Sequence, residues 1–427
     1  MKPQRSDSTG SDSTLAEARL GKSSGQLGTR AKPEPGAAAP GLSLRIVDSL
    51  TAIAPGEWDA LVADRPLLSH AFLHALHESG CAAPETGWTP RYLTAWGHGA
   101  LAGAMPLYVK AHSYGEYVFD WSWADAYRRH GRRYYPKLVC AIPFTPATGP
   151  RLIAPDAATR AALLHAALAL LHENGLSSLH VLFPLAEEAE DCAAAGMHLR
   201  ESVQFHWTNP GYRDFADFLS TMNHAKRKRI NQERRKLGES GVTFRWLLGK
   251  EISARDWAFF FRCYTTTYRR HHSTPYLSLD FFERVGATLP ANVLLVVGER
   301  GGRPVCCALD IFCHDTLWGR YWGSTEFLPG MHFEACYYQA IEFCIERRIA
   351  SFEGGAQGVH KLARGLLPVT TRSAHAIADP DFARAIARFA ADERSEVAQT
   401  VEELEAASPF KTAKEGPDST GLPESGA

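Results

Sequence analysis

The sequence predicts a mixed α/β fold, of α+β character, in which one arrangement is built twice. Three observations predict it. Strand-like and helix-like runs are interspersed, the order hairpin, strand, helix, strand occurs in both halves, and the composition is that of a globular chain, with 45% hydrophobic and 22% charged residues. A length of 427 residues corresponds to two or three domains and buries sizeable cores without staples.

Residues 1–40 are rich in Ser, Gly, Pro and Ala and poor in large apolar side chains. Such a segment cannot offset its ordering entropy, so it reads as a disordered leader, and residues 408–427 read as a similar tail. Between them, 41–210 and 211–407 read as two domains. In the first, Arg91–Trp96 and Ala104–Val109 flank a turn holding Gly97 and Gly99, the pattern of a hairpin. Strand-like sequence follows at Lys137–Ile142. Asp156 can cap a helix running to Glu173 and stopped by Asn174 and Gly175, before a strand at Ser178–Phe183. In the second, Val293–Val297 and Val305–Phe312 flank Gly301 and Gly302, and Thr316–Trp322 follows. Phe333, Cys336, Tyr337, Ala340, Ile341, Cys344 and Ile345 then mark an amphipathic helix, ahead of a strand at Ala350–Glu353. The shared order points to duplication. The stretch His112–Tyr135 is extra in the first half and unusually aromatic.

Net charge is −1, so attraction of a polyanion must come from a local patch. Lys226–Lys236 is such a patch, with seven cations in eleven residues, Ile230 and Leu237 as anchors, and Gly238 and Gly241 as stops. It reads either as a phosphate-binding helix, with Lys226, Arg227, Arg234 and Arg235 as contacts, or as a solvated linker.

The segment Glu353–Gly365 is the active-site candidate. Gly354, Gly355 and Gly358 follow a strand and let backbone approach a ligand, while Glu353, His360, Lys361 and Arg364 bring a carboxylate, an imidazole and two cations into one short loop. The alternative is a bulge whose polar groups satisfy one another. The spacings of a phosphate loop, a serine nucleophile elbow and a dinucleotide fingerprint are absent. Arg320 and Trp322 end a strand facing the helix opened by His332 and Glu334, a place where an anion can be held. His112, Tyr114 and Glu116, in the aromatic insert, suit either a ligand-cleft wall or an interdomain surface. His70, His74 and His77 share a helical face; with no HExxH and no Cys/His zinc spacing, no metal is expected.

From Phe215 to Pro368 the sequence resembles the Fem-type and related GNAT-fold acyltransferases. A basic helix ending at Gly241, the Gly-turn hairpin, Tyr321–Ser324, a helix ending near Arg348, the strand Ser351–Gly355, then Lys361 and Gly365 occur in the family's order. Glu353 stands where those enzymes carry Asp, and Arg364 where they carry an aromatic residue. The wider span from Ser69 to Phe410 is similar to bacterial proteins labelled as peptidoglycan biosynthesis or recognition proteins. The strings His112–Tyr117, Tyr135–Lys137, Pro143–Pro146, Gln204–Trp207, Gly319–Gly323 and Gly355–Gly358 carry that likeness.

The resemblance implies tandem GNAT-like domains, each a mixed sheet flanked by helices. It also implies N-acyl transfer to an amine on a small molecule or cell-wall precursor. Acyl-CoA or aminoacyl-tRNA would be the co-substrate, with no tightly bound cofactor. Glu353 or His360 would be the catalytic base. Lys361, Arg364, Gly354, Gly355, Gln357, Arg320, Trp322, His112, Tyr114 and Glu116 would bind substrate. A tRNA partner would suit the basic helix, whereas DNA is not expected. The rival, favoured by the aromatic insert, is a non-catalytic module that recognises peptidoglycan or another glycan. Nine cysteines without a CxxC pair, no membrane-length apolar run and no signal-peptide core set cytoplasm as the expected location.

Overall fold

The computed structural model describes residues 41–356 and 358–411. The expected leader lies outside the described residues, as do 412–427 of the expected tail. The tail expectation needs correction at its start. Phe410 bridges to Met222, and Asn223 and Lys411 donate backbone hydrogen bonds to Pro409 and Thr221, so the packed chain continues through Lys411.

The strands are β1 (Leu42–Val47), β2 (Trp88–Pro90), β3 (Tyr92–Gly97), β4 (Ala100–Met105), β5 (Leu107–Lys110), β6 (Lys137–Cys140), β7 (Ser178–Leu182), β8 (His198–Thr208), β9 (Val242–Leu248), β10 (Val293–Arg300), β11 (Arg303–Phe312), β12 (Thr316–Ser324), β13 (Ser351–Ala356) and β14 (Leu367–Ile377). Eleven form one sheet in the order β2-β5-β6-β7-β14-β8-β13-β12-β11-β10-β9, and β1, β3 and β4 form a small one. The first hairpin bends from the small sheet to the large one. Its break between β4 and β5 falls at Pro106, which has no N–H to give a ladder.

Each half contains the predicted order. β6, helix Ala157–Glu173 and β7 form one unit, with β6 and β7 parallel; β12, the helical stretch 331–347 and β13 form the other, again with parallel strands. Asp156 caps the first helix by accepting from Thr159 N at 2.8 Å. The halves then exchange their last strands. β8, which follows β7 in sequence, pairs with β13, and β14, which follows β13, pairs with β7. β8 and β14 pair with each other over nine positions, which closes one continuous sheet.

One face of that sheet carries a core shared by both halves. Trp58, Tyr92 and Phe144 join Trp257, Phe260 and Phe281 there, and the Phe72 and Phe281 rings meet edge to face at 5.6 Å. On the other face each half has its own cluster, around Leu163, Leu171 and Val181 in the first and around Leu317, Ile341 and Phe352 in the second.

The aromatic insert is packed structure. It contains helix Trp121–Arg129, whose Trp123 meets His375 at 5.1 Å and whose Tyr127 stacks on Phe382 at 3.9 Å. Beneath it Lys137 is fully buried, donating to Glu116 at 2.8 Å, to Ser113 at 2.8 Å and to Asp120. A buried cation survives there because two carboxylates surround it.

Candidate active site

β12 and β13 pair at only three positions, Thr316 with Ser351, Leu317 with Phe352 and Trp318 with Glu353. Beyond these the strands part, and a cleft of about 380 Å³ opens in the splay. Gly319, Arg320, Tyr321 and Trp322 line it from β12, Phe352 and Gly354 from β13, and His360 and Lys361 from the following loop. A Cβ on Gly354 would stand 2.6 Å from Leu366 Cδ2, so any larger residue here would displace that buried leucine tip.

Tyr264, Thr267, Tyr268 and residues 308–310 of β11 also line it, and another wall comes from residues 331–347. The sequence predicts one regular helix there. The structure has α-helix at Met331–Phe333, a π-helix at Glu334–Tyr338 and α-helix again at Gln339–Arg347. The π-turn breaks the 3.6 period, and His332, Cys336 and Tyr337 all reach the cleft. Tyr337 Oη lies 3.1 Å from His360 Nε2 at the rim, and Trp322 meets His332 at 5.0 Å.

Lys361 is 3% exposed and donates to Gly355 O at 2.8 Å. Burial lowers its ammonium to about 8. His360 is lowered by burial and by the adjacent Lys361 and Arg364, and His332 falls to about 4 by burial, His360 and the same cations. Both imidazoles are therefore neutral over the ordinary pH range, and a neutral imidazole can accept a proton.

Three expectations need correction. Of the expected carboxylate and two cations, only Lys361 lines the cleft. Alternation along β13 turns Phe352 and Gly354 to the cleft and Glu353 to the opposite face, 3.9 Å from His206. Burial pushes its carboxyl up to about 7, against the pull of Arg151 and Arg320. Arg364 is occupied elsewhere, with Nη2 on Glu233 at 3.2 Å, Nη1 on His360 O, and its guanidinium 3.7 Å from the Phe333 ring centre. Arg234 is held by Glu334 and Glu342, with N–O distances of 2.8–3.1 Å, and so ties its helix to the helical stretch behind the cleft.

The basic helix itself runs His224–Glu239, with Ile230 and Leu237 buried as predicted. Its outer face forms a shallow concavity of about 420 Å³ that includes Arg227, Lys228 and Arg235. Arg235 pairs with Glu239 at 3.6 Å, whereas Lys226, Arg227 and Lys228 have no ion-pair partner among the described residues.

Arg320 lines the cleft and donates to Phe144 O and Thr145 Oγ1, which ties the second half to the first. Gly355 sits at φ +79° and offers its carbonyl to Lys361. Gln357 lies outside the described residues. In the insert, Glu116 is consumed by Lys137, Tyr114 is exposed beside Trp121, and His112 accepts from Tyr114 N at 3.2 Å; none of the three lines the cleft. The insert residue that does is Tyr117, held at φ +61°. Tyr117 also lines a second cavity, of about 260 Å³, floored by residues 200–204 of β8 and 371–373 of β14.

Sequence reasoning missed Asp310, which lies in the cleft on β11 at 1% exposure. The available signal was a lone acid inside the apolar run Val305–Phe312. The three histidines of the first half have other partners: His70 with Leu50 O, His74 with Glu78, and His77 with the Tyr92 and Tyr108 hydroxyls. Among the described residues, the one group with three metal-ligand types close together is Asp64, Cys313 and His314, within 4.8 Å of one another.

The sequence matches the FemAB-like family, described as peptidoglycan biosynthesis/recognition, over residues 49–412. No curated protein matches it. Among solved structures it is similar to FemX, at 12% identity and a TM-score of 0.50, covering 78% of this chain and 98% of that one. It is also similar to L-PGS from Bacillus licheniformis, at 10% identity and a TM-score of 0.46, covering 75% and 96%. A tandem GNAT protein from the clavulanic acid biosynthesis pathway matches at 11% identity and 0.43, covering 79% and 99%. At 12% identity the likeness to FemX is one of fold alone, a mixed α/β architecture.

Proposed function

Because the chain belongs to the FemAB-like family of peptidoglycan biosynthesis and recognition proteins, we propose that it is a transferase of cell-wall synthesis that moves an acyl or aminoacyl group to an amine. The observation that carries this reading is the splay of β12 and β13, with Lys361 and His360 at its mouth. A cleft between parting strands suits the extended arm of a thioester or an aminoacyl ester. The second cavity shares Tyr117 with it, so an acceptor entering there would meet the donor at that side chain.

In this reaction the acceptor nitrogen attacks the donor carbonyl, its proton leaves, and the thiol or ribose hydroxyl departs. The ammonium of Lys361 would stabilise the negative charge that develops on the carbonyl oxygen. The neutral imidazole of His360, hydrogen-bonded by Tyr337, would take the proton from the nucleophile. No covalent enzyme intermediate is needed. Arg227 and Lys228 would attract the phosphates of a CoA or tRNA donor from the outer face of the basic helix.

The test is turnover. The protein is incubated with a lysine-containing cell-wall peptide and either a panel of acyl-CoAs, read by thiol release, or aminoacyl-tRNA, read by label transfer. Product with one donor class is expected. Binding of the peptide without product from any donor would overturn the reading in favour of a recognition module.

A further inference from the structure

Asp310 is a buried acid of the cleft to which the bond-making step described above gives no role. It follows Leu309 on β11 and is 1% exposed. Its Oδ2 is buried with no hydrogen-bond partner among the described residues. Its Oδ1 lies 3.6 Å from where a Cβ on Gly319 would stand, and both residues line the splay cleft, so the carboxyl borders its open volume. Glu116 and Asp120, by contrast, each have one oxygen on Lys137, and Glu188 accepts from three backbone N–H groups. Burial drives the Asp310 carboxyl well above the usual carboxylate range, with no cation among the described residues pulling it back. An orphaned buried carboxyl is costly, and an amide or an aliphatic residue would fill the same volume at lower cost.

We infer that Asp310 is the seat of a primary ammonium brought into the cleft by its ligand, so that the ligand class of this site is amine-bearing. The inference rests on the splay cleft being the transfer site. On binding, the carboxyl gives its proton to solvent and the R–NH3⁺ group takes its place, leaving a buried, charge-assisted ion pair. Two sources carry that chemistry: the α-amine of an aminoacyl donor and the nucleophilic amine of the acceptor.

The experiment uses two matched pairs of probes with the full chain, by isothermal titration. One pair is 3′-(L-alanylamino)-3′-deoxyadenosine and its des-amino propionyl analogue. The other is a lysine-containing tripeptide with a free ε-amine and its Nε-acetyl form. The parent should prefer the amine-bearing member of one pair by at least tenfold and release about one proton on binding it, read from buffers of different ionisation enthalpy. Asp310→Asn should abolish that preference and the proton release while melting no lower than the parent, because an unpaired acid has been removed. The pair that responds identifies the source. If Asp310→Asn keeps the preference, or weakens both members equally and lowers the melting temperature, Asp310 is structural and the inference fails. Should the parent bind no member of either pair, the reading of the cleft falls together with it.

Discussion

At the scale of single residues, Lys361 and Glu353 illustrate how burial sets the chemistry a side chain can do. Lys361 titrates near 8 because its ammonium is buried, so it is a cation below that pH and a neutral amine above it. Transfer that relies on its charge should therefore be fastest below about 8 and fall as pH rises through it. In Lys361→Arg the fall should move upward by more than a unit, since a guanidinium stays charged; a pH profile of kcat/KM checks this. Glu353 behaves in the opposite sense. Its native carboxyl is raised to about 7 from an ordinary 4.5, so between those values the folded state holds a proton that the unfolded state has lost. Stability is then greatest below about 4.5 and is lost as pH rises through about 7, by roughly 3 kcal/mol at most. Glu353→Gln should flatten that slope in urea unfolding from pH 4.5 to 7. Because the side chain faces His206 and not the cleft, the substitution should leave turnover within a few-fold.

At the scale of elements, the basic helix presents two different faces. Arg234 and Glu233 point inward and tie the helix to Glu334, Glu342 and Arg364. Arg234→Met should destabilise the fold by about 3 kcal/mol, because Glu334 and Glu342 lose the cation that offsets their burial. Arg227→Gln and Lys228→Gln, on the outer face, should change stability by less than about 0.5 kcal/mol. They should instead weaken donor binding and reduce the slope of log affinity against log salt by about one for each phosphate no longer neutralised. Melting curves and a salt titration separate the two faces. The helix and its anchors Ile230 and Leu237 were legible in the sequence, because composition and spacing are local. The commitment of Arg234 was not, since its partners lie 100 and 108 residues away. The π-turn at Glu334–Tyr338 was equally hidden: the apolar residues are spaced for a regular helix, and only the packing against β11 and the cleft explains the added residue.

At the scale of the whole molecule, the exchange of β8 and β14 binds the two halves into one sheet. Residues 41–210 alone would keep β7 without β14 and β8 without β13, leaving unpaired edges that invite aggregation. We expect that fragment to be insoluble or oligomeric. The full chain should unfold in urea as one transition, with intrinsic fluorescence and circular dichroism coincident; two separated transitions would show that the halves are independent despite the exchange. The sequence by itself determined the elements, from the hairpin at Arg91–Val109 to the strand at Glu353, and the repetition of their order, because alternation, helical spacing and glycine turns act over a few residues. It also singled out the loop around Lys361, whose His360 and Lys361 line the cleft. Only the tertiary structure decided that Glu353 turns away from that loop, that Arg364 is spent on Glu233, and that Asp310, from another strand, takes the position facing the cleft. Alternation along a strand fixes which residues share a face. Which face meets the cleft is set by the neighbours of that strand in the sheet, and those come from segments of the chain far apart in sequence.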